Sequence, residues 1–181
     1  MKWKNFKQDN AGYFITTVTR NFIPLINHPK VRDIIYHSIE FLKNKYGYKL
    51  IGYCLMPDHI HLLIQADDEL DISKVMADFK RFTAKQIYRY FDENKDNYWL
   101  SILKTGAYKG QNYSVWQETF RSEVIYTEKF LMQKLDYLHQ NPVRRNLVEN
   151  AVDWQYSSAK FYYLGKVGNI KIDMLPLLVS A

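Results

Sequence analysis

The chain has 181 residues, 47% of them hydrophobic and 24% charged, which is a folded globular composition and excludes wholesale disorder. This length suits one domain with a modest extension and falls well short of the roughly 250 residues of a TIM barrel. With 25 Lys and Arg against 19 Asp and Glu, the formal charge is +6, a balance that suits a polyanionic partner.

Gly12 to Arg20 is rich in β-branched and aromatic residues and reads as a first strand. After a turn at Asn27 to Pro29, the stretch Val31 to Tyr46 carries Ile34, Ile35, Ser38, Ile39 and Leu42 at helical spacing, with Gly47 as a stop. Tyr48 to Met56 and His59 to Gln65 are β-rich runs around a Pro57-Asp58 turn, the best hairpin candidate in the chain. Asp71 and Ser73 precede a long helix to about Phe91, with Val75, Phe79, Phe82, Ile87 and Tyr90 tracing its apolar face. Glu93 to Ser114 is polar and reads as an irregular insertion. Trp116 to Tyr126 offers a fourth strand, and Thr127 caps a helix through about Gln140. Pro142 is expected to end that helix, because the residue before proline is pushed out of helical geometry.

The order β-α-β-β-α-β predicts an α+β, ferredoxin-like antiparallel sheet with its helices on one face, followed by a further helix. We read residues 1–181 as a single domain, with a core over about 12–142 and a C-terminal extension over about 143–181. The lone cysteine, Cys54, has no internal disulfide partner, which fits a reducing compartment. Met1 to Asn10 is polar and basic, and the apolar tail Met174 to Val179 is short and broken by Pro176. The expectation is a soluble cytoplasmic protein with no membrane partner.

His59 and His61 stand two apart in a strand, so both imidazoles project from one face while Ile60, Leu62 and Ile64 pack on the other. Burying two such rings without partners is costly, and a metal ion or a polar cluster is the usual remedy. Two partly exposed histidines at a strand start would need neither. Leu63 occupies the place where a histidine-triad nucleotide hydrolase needs a third histidine. Two ligands are too few for a metal, so a further polar residue must arrive from elsewhere.

In the last helix, Leu131, Leu135 and Leu138 form the packed stripe. Tyr137 lies on a neighbouring stripe with Phe130, Gln133, Lys134 and, one turn on, Asn141. If this helix covers the histidine face, Tyr137 and Asn141 approach the imidazoles together, although Pro142 pulls Asn141 toward extended geometry. Most tyrosines in a chain with 15 of them simply pack in or beside the core.

The block Met56-Pro57-Asp58-His59-Ile60-His61-Leu62-Leu63-Ile64, followed by Asp78-Phe79-Lys80-Arg81-Phe82-Thr83, resembles the HUH single-tyrosine transposases. Leu135-Asp136-Tyr137-Leu138-His139-Gln140-Asn141-Pro142-Val143 is similar to their tyrosine helix. Asp153-Trp154-Gln155-Tyr156-Ser157-Ser158-Ala159 resembles the segment that follows it in the REP-associated branch. The blocks stand in the family's order from about Gly12 to Tyr163. The resemblance implies a ferredoxin-like enzyme that nicks and rejoins single-stranded or hairpin DNA with a divalent cofactor, Mg²⁺ or Mn²⁺. It makes His59 and His61 metal ligands and Tyr137 the nucleophile that forms a 5′-phosphotyrosine. Asn141 takes the place of a third, amide-type ligand, with Gln140 and Glu118 as substitutes. The family contains helix-exchanging dimers and monomers, and the Asp153-Trp154 segment tilts toward a monomer.

Phosphate contacts are expected from Arg144 and Arg145 beyond the tyrosine helix, and from Lys80, Arg81 and Lys85 on the long helix. Trp116, Trp154 and Tyr156 either stack bases or complete the core. His139 is close enough to Tyr137 in sequence to warrant attention. Two rival functions use the same residues: a DNA-hairpin-binding protein with little or no turnover, and a phosphoesterase that uses the histidines alone.

Overall fold

A computed structural model describes residues 11–66 and 70–173; the basic N-terminal stretch and the apolar tail noted above lie outside them. Strands β1 (Ala11–Val18), β2 (Lys49–Leu55), β3 (His59–Ala66) and β4 (Arg121–Ile125) form one sheet in the order β2-β3-β1-β4. Every neighbouring pair is antiparallel, which is the ferredoxin-like arrangement expected from the element order. Helix α1 (Pro29–Tyr46) starts on a proline and stops at Gly47, whose φ of 72° is readily reached only without a Cβ. Helix α2 (Ile72–Glu93) is capped by the Asp71 carboxylate, which accepts from the N–H groups of Ser73 and Lys74.

Alternation along the strands divides the interior in two. Ile15, Ile60, Leu62 and Ile64 point to a core shared with Ile35 and Ile39 of α1 and Phe79 and Ile87 of α2. Phe14, Cys54 and Leu63 point the other way, onto Leu131, Leu135 and Leu138 of α4 (Glu128–Arg144). The two helices of the ferredoxin-like unit, α1 and α2, thus share one face of the sheet as expected, and the added helix α4 covers the other, because the residues of β3 alternate between two buried sets. Gly52 permits the close approach of α4: a Cβ there would sit 2.9 Å from Leu135 Cδ1.

Three expectations are corrected. The polar 93–114 stretch contains a helix, α3 (Asn97–Thr105), capped by Asp96 and anchored by buried Leu100 and Leu103. The buried stripe of α2 runs through Ile72, Val75, Met76, Phe79, Thr83, Ile87 and Phe91, and Phe82 instead stacks on Phe41 at the surface. Pro142 does not end α4, which continues to Arg144. A proline in the last turn forfeits one backbone bond, and Asn141 stays helical with its side chain tied to β3.

The fourth strand is shorter than expected. Trp116 meets Thr19 in an isolated bridge, and its indole N–H donates to Thr83 Oγ1 in the core (2.8 Å). Beyond α4, the chain covers the edge of β2: Ser158 N–H donates to the Tyr53 carbonyl, Leu55 N–H to Tyr156, and Asp173 N–H to Leu50. A short helix α5 (Ala159–Leu164) lies within this extension. Covering an edge strand in this way removes an otherwise open template for strand pairing. Among the described residues, no helix is long and apolar enough to cross a membrane.

Candidate active site on the open half of the sheet

The register pairs Thr16 with His61 and Val18 with His59 across β1 and β3. Both imidazoles face α4, and their centroids lie 4.8 Å apart with the rings nearly perpendicular. Each ring is oriented through Nδ1. The Nδ1–H of His59 donates to Asp58 Oδ1 (2.6 Å), and His61 Nδ1 faces Thr16 Oγ1 at 2.8 Å. Asn141 Nδ2 donates to His61 Nε2 (2.9 Å), which places the His61 proton on Nδ1 and leaves the Nε2 lone pair toward α4. A carboxylate or hydroxyl behind the imidazole, with the far nitrogen bare, is how proteins prepare histidines as metal ligands.

Burial lowers the His59 pKa against the opposing pull of Asp58. His61, only 4% exposed, is pushed down to about 3 by burial first, then by His59 and the cations of Arg144, Lys134 and Arg145. Both rings are neutral at pH 7, the form that ligates metal.

Helix α4 brings Tyr137 to the same place. Its ring meets His61 edge-on at 5.7 Å and Phe14 at 5.8 Å, and Phe14 stacks on His61 at 5.2 Å. Tyr137 remains 42% exposed, so the residue reaches solvent while its ring is held by its neighbours. The Arg144 guanidinium lies 4.3 Å over that ring and donates to the Tyr137 carbonyl. Arg145 reaches Asp58 Oδ2 at 3.5 Å. Tyr137, Arg144 and Arg145, with His59, His61, Asn141, Thr16, Val18 and Phe22, line a cleft of about 360 Å³.

Among the described residues, no three His, Cys, Asp or Glu side chains are grouped to hold a metal. Asn141 would offer a metal held by His59 and His61 a neutral oxygen as third protein ligand: half a turn of its amide exchanges Nδ2 for Oδ1. The donor set of two imidazoles and one amide oxygen fits Mn²⁺ or Mg²⁺. Gln140 sits beside Tyr163 instead. Glu118 sits before β4, where its backbone meets Tyr108 and Lys80; neither residue lines the cleft.

The expected phosphate contacts separate. Arg144 and Arg145 border the cleft. Lys80, Arg81 and Lys85 lie on α2, which packs on the opposite face of the sheet. Lys80 donates to the Glu118 carbonyl, and Arg81 pairs with Asp78. His139 is buried against Ser158 and Tyr162, away from the cleft. Thr16 and Asp58, the two supports of the imidazoles, carried no signal of that role. Only the register of β1 on β3 and the tight turn before His59 bring them into reach.

The residue pattern of the family described as IS200-like transposase matches residues 7–121, well over half of the chain. The chain belongs to the IS200-like transposase family. Within that transposase match lie both histidines and both their supports, while α4 follows it. A Haemophilus influenzae protein provisionally named a REP-associated tyrosine transposase is 33% identical over 118 residues, 62% of this chain and 60% of that relative's length. Among solved structures, a REP-associated tyrosine transposase bound to a REP hairpin superposes with a TM-score of 0.65 at 19% identity. That match covers 96% of this chain and 92% of the other. A structure from Deinococcus radiodurans R1, provisionally titled a transposase, gives 0.51 at 18% identity, covering 77% and 97%. Both structural likenesses support the fold, and the first extends it through α4.

Proposed function

We propose that this transposase-family chain is a single-strand DNA endonuclease and strand transferase that acts at hairpin DNA through Tyr137. The observation that carries the reading is the meeting, within one chain, of a half-exposed phenol with two buried neutral imidazoles. A site complete in one chain favours a monomer as the acting unit. The hairpin bound by the solved relative supports the choice of DNA.

Arg144 and Arg145 give the cleft the positive charge that tracks a phosphate backbone. In the proposed step, Tyr137 Oη bonds to the scissile phosphorus and the bond to the 3′ oxygen breaks. The phenolic proton is released and the departing oxygen takes one up as a 3′-hydroxyl. The resulting 5′-phosphotyrosine retains the phosphodiester energy, so another 3′-hydroxyl reverses the step on a second strand. Phe14 and Arg144 hold the phenol ring from its edge and its face, and Asp58 and Thr16 fix the imidazoles. His59, His61 and Asn141 would hold a divalent ion, which when bound supplies Lewis-acid neutralisation of the scissile phosphate. We place the activity in the cytoplasm, where the buried Cys54 thiol stays reduced.

The test incubates a hairpin oligonucleotide carrying single-stranded arms with protein and Mn²⁺. A denaturation-resistant adduct in the native chain, lost in Tyr137→Phe while hairpin binding persists, is the expected result. Binding without any adduct would instead make the chain a hairpin-binding module. Cleavage indifferent to Tyr137→Phe would make it a phosphoesterase.

A further inference from the structure

We infer that Phe22 is a stacking face for an unpaired nucleobase next to the phosphate that Tyr137 attacks, an inference that rests on the function proposed above. Phe22 is 63% exposed and lines the same cleft as His59, His61, Tyr137, Arg144 and Arg145. Its backbone is left-handed, with φ 56°, and so is that of Asn21, with φ 55°. Left-handed geometry is costly for a phenylalanine and persists only where the surroundings enforce it. Exposing the ring gains no burial energy to offset that cost. A strained backbone that presents an aromatic ring to solvent, inside a cleft, calls for a ligand rather than a packing explanation.

The surroundings do enforce it. The Thr19 hydroxyl reaches the carbonyls of Ile23 and Asp58 at 2.8 and 2.9 Å, which ties the loop to the turn before His59. Arg20 N–H donates to the Val115 carbonyl (2.7 Å) and its Nε–H to the Gly106 carbonyl (2.9 Å). The Arg20 guanidinium also stacks on Tyr108 at 3.9 Å. Gly106 makes room for this contact, since a Cβ there would lie 3.2 Å from Arg20 Cγ. The segment around α3, which the sequence left without a role, thus buttresses the loop that presents Phe22.

The ligand chemistry follows from what stands around the ring. Cations at Arg144 and Arg145 suit phosphates, and a phenyl face beside them suits a base, whose π-surface stacks whatever its identity. Paired bases in a duplex hide their faces, so the partner is a base in a single-stranded arm.

The test uses Tyr137→Phe protein, so that the DNA stays intact, and fluorescence anisotropy with hairpins whose arms carry an abasic site at successive positions. Phe22→Asn removes the ring while keeping a side chain that tolerates left-handed backbone. It should weaken binding roughly 5- to 150-fold, the range of a lost base–aromatic stack. Phe22→Trp should restore affinity, whereas Phe22→Leu, apolar and bulky without a π-face, should not. One abasic position should weaken the Phe22 protein equally and leave Phe22→Asn unaffected. Phe41→Ala, an exposed phenylalanine on the far face, should change nothing. Unchanged binding in Phe22→Asn, or losses that add at every abasic position, overturns the inference even if the Tyr137 adduct forms. Coupled losses with no adduct would uphold the stacking and remove the nuclease reading. No hairpin binding at all would overturn both.

Discussion

Ile60 and His61 are adjacent in β3 and belong to different worlds. Ile60, fully buried, joins the core sealed by α1 and α2. His61 faces α4, which seals only half of its side: Leu63 packs on Leu131, Leu135 and Leu138, while the histidine end opens into the cleft. One face of the strand supplies stability and the other lines the candidate site. The difference lies in coverage rather than in the strand itself. Two helices close one face, and a single helix crossing the other leaves its last turns, with Tyr137 and Asn141, over a gap.

That comparison is broken or sharpened most strongly by a pair of substitutions. Ile60→Ala should cost about 2–5 kcal/mol in denaturant unfolding and leave Mn²⁺ affinity of the folded protein unchanged by calorimetry. His61→Ala should do the reverse, lowering Mn²⁺ affinity by more than the roughly 10–100-fold that loss of a supporting partner brings with a smaller effect on unfolding. Equal effects of both variants on both quantities would erase the distinction between the faces. Asp58→Asn, which weakens the support behind His59, should lower Mn²⁺ affinity within that 10–100-fold range; an unchanged calorimetric titration would remove Asp58 from the site.

Stability should depend on pH through the histidine side. Burial holds His139 down to about 4, so the unfolded chain takes up its proton first, near the ordinary 6.5. The stability it contributes is complete above that value and is lost as pH falls toward 4, about 2 kcal/mol between pH 7 and pH 5. Urea titrations at the two pH values should show a smaller drop in His139→Gln. The least effect is expected on the α2 side. Arg145→Ala should reduce the slope of log affinity for hairpin DNA against log salt by about 1, and Arg81→Ala, already paired with Asp78, should leave that slope as it is. A larger change from Arg81 would put DNA on the other face.

The period-two pattern of β3 and the spacing of Tyr137 and Asn141 made each half of the candidate site legible, because both depend on local geometry, while the placing of α4 over the histidine face does not. Thr16 and Asp58 were not legible as supports, since strand register and a tight turn decide what meets an imidazole nitrogen. Proline chemistry misled at Pro142: the bond between Asn141 and His61 Nε2 lies across α4 and β3, where no local rule sees it. Helix α3 was hidden by its polar flanks, although Asp96, Leu100, Leu103 and Gly106 spell a cap, a short apolar stripe and a stop. The left-handed Asn21 and Phe22 have no local signature either, because neighbours distant in sequence impose their geometry.

Peptide mass mapping of the DNA-linked protein bears most directly on the central claim. After nuclease trimming, the residual nucleotide should be attached to the α4 peptide, at Tyr137. Attachment to any of the other tyrosines, with Tyr137 unmodified, would contradict the account.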